Sequence, residues 1–279
     1  MGIVLSLIKI ALAVFLGLSL LLYFRQDGMI FLGARLPSAM LDELRRSFPE
    51  SEMHLTAADG TPLHGWYLPA PGARPAPLLI YFGGNAEDVS GMLPDHHHFS
   101  NISLLLFNYR GYGLSQGRPS QKNLIGDALF LYDYFAALPE VDRERIILMG
   151  RSLGTCVAVE LAARRKVERL VLISPFASLR ALARKHFPWF PVGPFLRHPF
   201  DIIDHAPGIT APLLAIIAAE DRIVPPEHSR RLLAAWGGET RALVIAGADH
   251  NDLGPQAEFW SAIETFIDGA RNRRQAVHP

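Results

Sequence analysis

Apolar and polar positions run in blocks along the chain, and the first block is unlike the others. Positions 3–24 are apolar apart from Ser6, Lys9, Gly17 and Ser19. As a helix this run reaches about 33 Å, enough for a bilayer core of ~30 Å. Lys9, near one end, can snorkel to the headgroups. A cleaved signal peptide is the rival reading. The run continues into Tyr23-Phe24-Arg25-Gln26-Asp27 without a small-x-small cleavage site, so the sequence predicts an uncleaved anchor over 1–27. Residues 28–50 read as a juxtamembrane connector, and removing residues 1–25 is expected to release a folded, active domain. Lys9 and the amino terminus face Arg25 and Arg35 across the span. That balance leaves orientation open, with an extracytoplasmic domain slightly favoured.

After the connector the pattern switches to short apolar runs separated by amphipathic ones. Runs 53–58 and 63–68 flank Asp59-Gly60, which predicts a β-hairpin. Short apolar strands are expected at 78–82, 102–108, 145–149, 170–173, 213–218 and 242–246. Helical spacing marks 121–138, through Leu124, Ala128, Leu131 and Phe135, and helices are expected at 153–165, 226–236 and 256–270. Strands without a polar face, alternating with helices, call for a mostly parallel sheet covered on both sides. The fold class is therefore α/β, with one domain over 51–272. One stretch breaks the alternation: about 175–205 holds five phenylalanines, Trp189 and five prolines. Proline at that density prevents long helices, so this is a small insertion, either packed onto the domain or serving as a lid.

Composition narrows the function. Lys plus Arg equal Asp plus Glu at 27 each, leaving no basic surplus for nucleic acid. An apolar share of 49% gives ample core for 279 residues. The single cysteine, Cys156, excludes an intrachain disulfide and reads as a small packing residue.

The chemistry is concentrated at Gly150-Arg151-Ser152-Leu153-Gly154, between a strand and a helix. G-x-S-x-G in that setting is a nucleophile elbow, its glycines giving the backbone room and its helix offering free N–H groups. A serine hydroxyl needs a base to take its proton and an acid to orient that base, in the order Ser, Asp or Glu, His on such a sheet. Of the eleven histidines, His228, His250 and His278 come late enough. His278 is terminal and His228 opens a helix, whereas His250 lies in a turn-rich loop just past a strand. The acid is Asp221 at the end of the preceding strand, with Glu220 as the adjacent alternative. Oxyanion donors are expected from Leu153 N–H and from the loop Gly83-Gly84-Asn85, through Asn85 or Gly84. Tyr109, Phe176, Phe187, Trp189 and Phe190 are the expected pocket residues. Asp95-His96-His97-His98 could ligate a metal, but consecutive residues point apart, so no metal is expected and the chemistry needs no cofactor.

Taken together these residues resemble the α/β-hydrolase superfamily, and within it a membrane-anchored branch of depalmitoylase-type and serine aminopeptidase-like proteins. The matching blocks are Phe82-Gly83-Gly84-Asn85-Ala86, Asn108 to Gly113, Gly150 to Gly154, Ser174-Pro175-Phe176, Asp221 to Pro226 and Asp249 to Asp252. The resemblance implies Ser152, Asp221 and His250 as the triad. The chain departs from the pattern in carrying Gly83 where histidine is usual, and Ala218 where glycine is usual. The expectation is a membrane-anchored serine hydrolase of acyl esters or thioesters, working through an acyl-enzyme on a small or lipid-like substrate. A serine peptidase or amidase is one alternative. A catalytically silent hydrolase fold used for binding is the other.

Overall fold

The computed structural model describes residues 2–72, 74–187 and 192–275. Helix α1 (Gly2–Ile30) is unbroken over 29 residues, and α2 (Ser38–Ser47) follows it closely. The Asp59-Gly60 turn, with Gly60 at φ 85°, joins β1 (Glu52–Thr56) to β2 (Pro62–Leu68) as the expected hairpin. Next come β3 (Ala76–Phe82), a 3-10 helical segment (Val89–Phe99) and β4 (Ser103–Phe107). The chain then runs through α3 (Gln121–Ala136), β5 (Val141–Arg151), α4 (Leu153–Ala162) and β6 (Arg169–Ile173). The insertion supplies α5 (Leu179–His186) and α6 (Val192–Phe195). The last elements are β7 (Leu213–Ala218), α7 (Pro226–Ala235), β8 (Thr240–Ile245) and α8 (Ala257–Gln275).

Among the described residues eight strands form one sheet in the order β1-β2-β4-β3-β5-β6-β7-β8. Pairing is antiparallel across β1–β2 and β2–β4 and parallel everywhere else. Every residue of β3, β4, β6 and β7 is buried, which is why these strands lack an apolar-polar alternation. One face, through Leu78, Ile80, Phe82 and Phe107, packs on α3, α4 and α7. The other, through Leu79, Tyr81, Leu104 and Leu106, packs on α2, the 3-10 segment and α8. This is the α/β-hydrolase arrangement: a mostly parallel sheet between two helical layers.

The parallel registry fixes where chemistry can sit. Phe82 at the end of β3 stands beside Gly150 of β5, and Ala218 at the end of β7 beside Ile245 of β8. The loops leaving β3, β5, β7 and β8 therefore share one edge of the sheet.

The connector is the main departure from expectation. The boundary at 27 falls inside α1, and residues 31–36 are stitched into the domain rather than tethering it. Phe31 is buried in the main core against Phe200, Gly113 N–H donates to the Ala34 carbonyl, and Leu36 N–H donates to Asp88. Local hydropathy does not show that a segment's main chain will pair with distant loops.

Candidate active site

The elbow is as tight as its glycines imply. Ser152 sits at φ 49° and ψ −112°, in a region that a side chain occupies only at a cost. A Cβ on Gly150 would lie 2.5 Å from the Gly154 carbonyl, and one on Gly154 would lie 2.0 Å from the Phe82 carbonyl. Ser152 N–H donates to the Ile173 carbonyl of β6 at 2.9 Å, which fixes the base of the turn.

The three expected triad residues meet. Ser152 Oγ lies 3.0 Å from His250 Nε2, and His250 Nδ1 lies 2.7 Å from Asp221 Oδ2. A carboxylate accepts only, so Nδ1 carries the hydrogen and Nε2 turns its lone pair to the serine. The other Asp221 oxygen accepts N–H groups from Ile223 at 3.0 Å and Val224 at 2.6 Å, so the acid cannot swing away. Asp221 and His250 are both buried, whereas Glu220, the alternative acid, is exposed. His228 is buried at the start of α7. His278 lies outside the described residues.

Leu153 opens α4, so its N–H has no partner within the helix. With Asn85 and Ser152 it lines one cavity of about 640 Å³. Gly84 does not serve as a donor: its N–H points at Glu87 Oε2, 2.7 Å away. The same carboxylate accepts from Tyr81 Oη at 2.7 Å and faces Arg151 at 3.4 Å. Glu87 thus ties the loop after β3, which leaves Asn85, a residue of the cavity wall, as the remaining expected donor of that loop.

A serine hydrolase family model matches residues 133–267, which include all three triad members. An uncharacterized protein of Mycobacterium tuberculosis is 40% identical over 196 residues, covering 70% of each chain. The α/β hydrolase domain-containing protein aho-3 of Caenorhabditis elegans is 31% identical over 202 residues, 70% of this chain and 60% of that one. The crystal structure of the Pyrococcus furiosus esterase Pf2001 superposes with a TM-score of 0.67 at 21% identity, over 85% of this chain and 96% of its own. The chain belongs to the α/β-hydrolase superfamily.

Where the superfamily pattern carries histidine, this member has no room for one. A Cβ on Gly83 would lie 2.7 Å from Val89 Cγ1 and 3.4 Å from the Glu87 side chain. Tyr109 also departs from expectation. It is buried with its hydroxyl on the Gly83 carbonyl at 3.0 Å, and burial holds its phenol well above the usual range. It braces the oxyanion loop and does not line the pocket. Cys156 is fully buried and burial raises its thiol well above the ordinary value, in keeping with a packing role. The His96 and His97 rings turn to the carbonyls of Leu93 and Pro94, and His98 pairs with Glu264, so the histidine run shares no ligand point.

The cavity wall includes Phe176 and Phe187, together with Leu179, Leu182, Phe195, Ile223 and Val224. Trp189 and Phe190 lie outside the described residues. One wall was not anticipated from the sequence: Leu22, Tyr23, Gln26, Met29 and Ile30 of α1. Their spacing puts them on one helical face, which is the signal that was available. Arg151, the variable residue of the elbow, was also missed. It reaches Asn251 Oδ1 at 3.0 Å on one side and Glu87 on the other, linking the histidine loop to the oxyanion loop.

Proposed function

We propose that this protein hydrolyses acyl esters or thioesters through an acyl-serine, at a membrane to which α1 anchors it. The observation that carries the reading is the Ser152–His250–Asp221 chain, at 3.0 and 2.7 Å, opening on a cavity walled mainly by aliphatic and aromatic side chains. His250 takes the Ser152 proton as Oγ attacks the carbonyl carbon. The oxyanion is held by Leu153 and Asn85 N–H groups, each contributing roughly 3–4 kcal/mol by analogy with removing one such donor. The protonated His250 then gives its proton to the departing alcohol or thiol. Water, deprotonated by the same histidine, cleaves the acyl-serine and releases the acid. The esterase fold neighbour is consistent with ester substrates. The apolar slot suits an acyl chain better than a peptide.

The anchor reading is supported by length and exposure. Its 29 residues reach about 43 Å, more than a bilayer core requires, and Ile3, Leu7, Ile10 and Leu18 present apolar side chains to the outside. Removal as a signal peptide would also strip residues that the cavity uses. A fluorophosphonate probe should label the wild type at Ser152 and leave Ser152→Ala unlabelled. An acyl ester and thioester panel then reports the leaving group and chain. Absence of labelling in folded protein would return the fold to a binding role.

A further inference from the structure

The end of the anchor helix is locked to the insertion, not merely adjacent to it. Gln26, buried although it is polar and lies just past the apolar run, donates to the Phe195 carbonyl at 3.0 Å and accepts Arg197 N–H at 2.7 Å. Asp27 takes Arg197 Nη2 at 2.6 Å and His198 Nε2 at 3.0 Å, and the Arg197 guanidinium lies over the Tyr23 ring at 5.4 Å. These bonds tie α1 to α6 and to the residues that follow it, beside a cavity that α5 also lines.

The cavity has a direction. Leu32 N–H donates to Asn85 Oδ1 at 3.0 Å, so the chain just beyond the helix stands at the oxyanion loop. From there the wall runs back along one face through Ile30, Met29, Gln26 and Tyr23 to Leu22. At 1.5 Å per residue this is about 12 Å from Ile30 to Leu22. Leu22 and Tyr23 belong to the last apolar turn of the 3–24 run. The slot therefore starts at Ser152 and ends where the membrane-spanning run ends.

We infer that the anchor helix is the specificity wall of the acyl site: Met29, Tyr23 and Leu22 set the usable chain length, and the substrate is a medium- or long-chain acyl ester or thioester whose tail points back toward the bilayer. The inference rests on the hydrolase reading above. A bilayer-resident acyl chain lies parallel to α1, so it enters such a slot without bending away from the surface it came from. Each methylene seated against this wall contributes up to ~0.8 kcal/mol, a few-fold in kcat/KM. The helix then does more than raise the local concentration of substrate.

The test uses full-length protein in detergent micelles and a series of acyl esters from acetyl to hexadecanoyl. The readout is the ratio of kcat/KM for dodecanoyl over acetyl. Leu22→Trp, which fills the far end, should lower that ratio at least tenfold, and Met29→Trp, nearer the serine, should move the optimum to shorter chains still. Tyr23→Ala should lengthen it. Leu21→Trp, on an outward face of the same helix, should match wild type. Fluorophosphonate labelling of Ser152 in each variant shows that the site is folded. Labelled variants whose ratio stays at the wild-type value would overturn the inference while leaving the hydrolase reading intact. A wild type that is folded yet neither labelled nor active on any ester would overturn both.

Discussion

Leu32 N–H donates to Asn85 Oδ1 at 3.0 Å, and Tyr112 Oη donates to the same oxygen at 2.9 Å. The side chain of Asn85 is thus gripped by the chain just after α1 and by the loop after β4, and the residue itself lines the cavity that holds Ser152. Asn85→Ala keeps the donor but frees its position. It should lower kcat about 10- to 100-fold with little change in KM, less than the 10²–10³ seen when a donor is removed outright. Tyr112→Phe, which loses one of the grips, should show a smaller loss in the same direction. A KM effect with unchanged kcat would show that the loop serves binding alone.

The triad geometry sets the next expectation. Ser152→Ala and His250→Ala should each abolish acyl-ester turnover with the fold retained. Asp221→Asn should cost about 10⁴ in kcat, because an amide donating to Nδ1 turns the wrong tautomer toward the serine. Single-turnover kinetics on the three variants checks this, and wild-type turnover by Ser152→Ala would dismiss the assignment.

Arg151 spans two loops that must keep register during the reaction, through Glu87 on one side and Asn251 on the other. Arg151→Met should lower kcat by about tenfold, and so should Glu87→Gln. Because both act through one network, the double variant should be little worse than either single one. Additive losses would mean that the two residues act separately.

The triad was legible because each member stands where a strand of marked hydropathy ends, and strand ends on a parallel sheet converge. The elbow carried its own signal in Gly150 and Gly154. Phe176 and Phe187 were legible as aromatics in a proline-rich insertion. Gly84 was misread because a glycine advertises a free N–H, while the carboxylate that occupies it, Glu87, looks like any loop residue. Tyr109 was misread for a related reason, since a polar aromatic near a site can brace it from behind. The wall that α1 supplies was hidden by its own hydropathy. A run long enough to span a bilayer accounts for every apolar residue in it, so nothing asks whether Leu22 or Tyr23 has a second task.

Acid should weaken the β1–β2 edge in two steps of the same sign. Burial pushes the His64 imidazole below its ordinary value of 6.5, and the Arg45 guanidinium hydrogen-bonded to Glu52 lowers that carboxyl from 4.5 to about 2. In each case the unfolded chain binds a proton that the folded one resists, so stability rises with pH. The His64 contribution is present above about pH 6.5 and is lost as pH falls toward its folded value; the Glu52 contribution is lost between 4.5 and about 2. His228, also pushed down by burial, adds to the first step. Urea midpoints should fall from pH 7 to 5, with a shallower slope in His64→Phe, and Glu52→Gln should flatten the lower window. An unchanged slope in His64→Phe would remove that histidine from the account.

Gly83 offers the last test, because its neighbours explain why no side chain stands there. An added Cβ would meet Val89 Cγ1 at 2.7 Å, and the backbone cannot retreat while Tyr109 Oη holds the Gly83 carbonyl at 3.0 Å. Gly83→Ala should therefore displace the oxyanion loop, costing about 1–3 kcal/mol of stability, as overpacking does, and lowering kcat with it. Val89→Ala vacates the contested space at the cost of a small cavity beside the 3-10 segment. Combined, the two changes should restore much of the kcat lost by Gly83→Ala alone, a coupling that independent sites would not show. If the double variant is as slow as the sum of the two losses, crowding against Val89 is not the reason for glycine at this position.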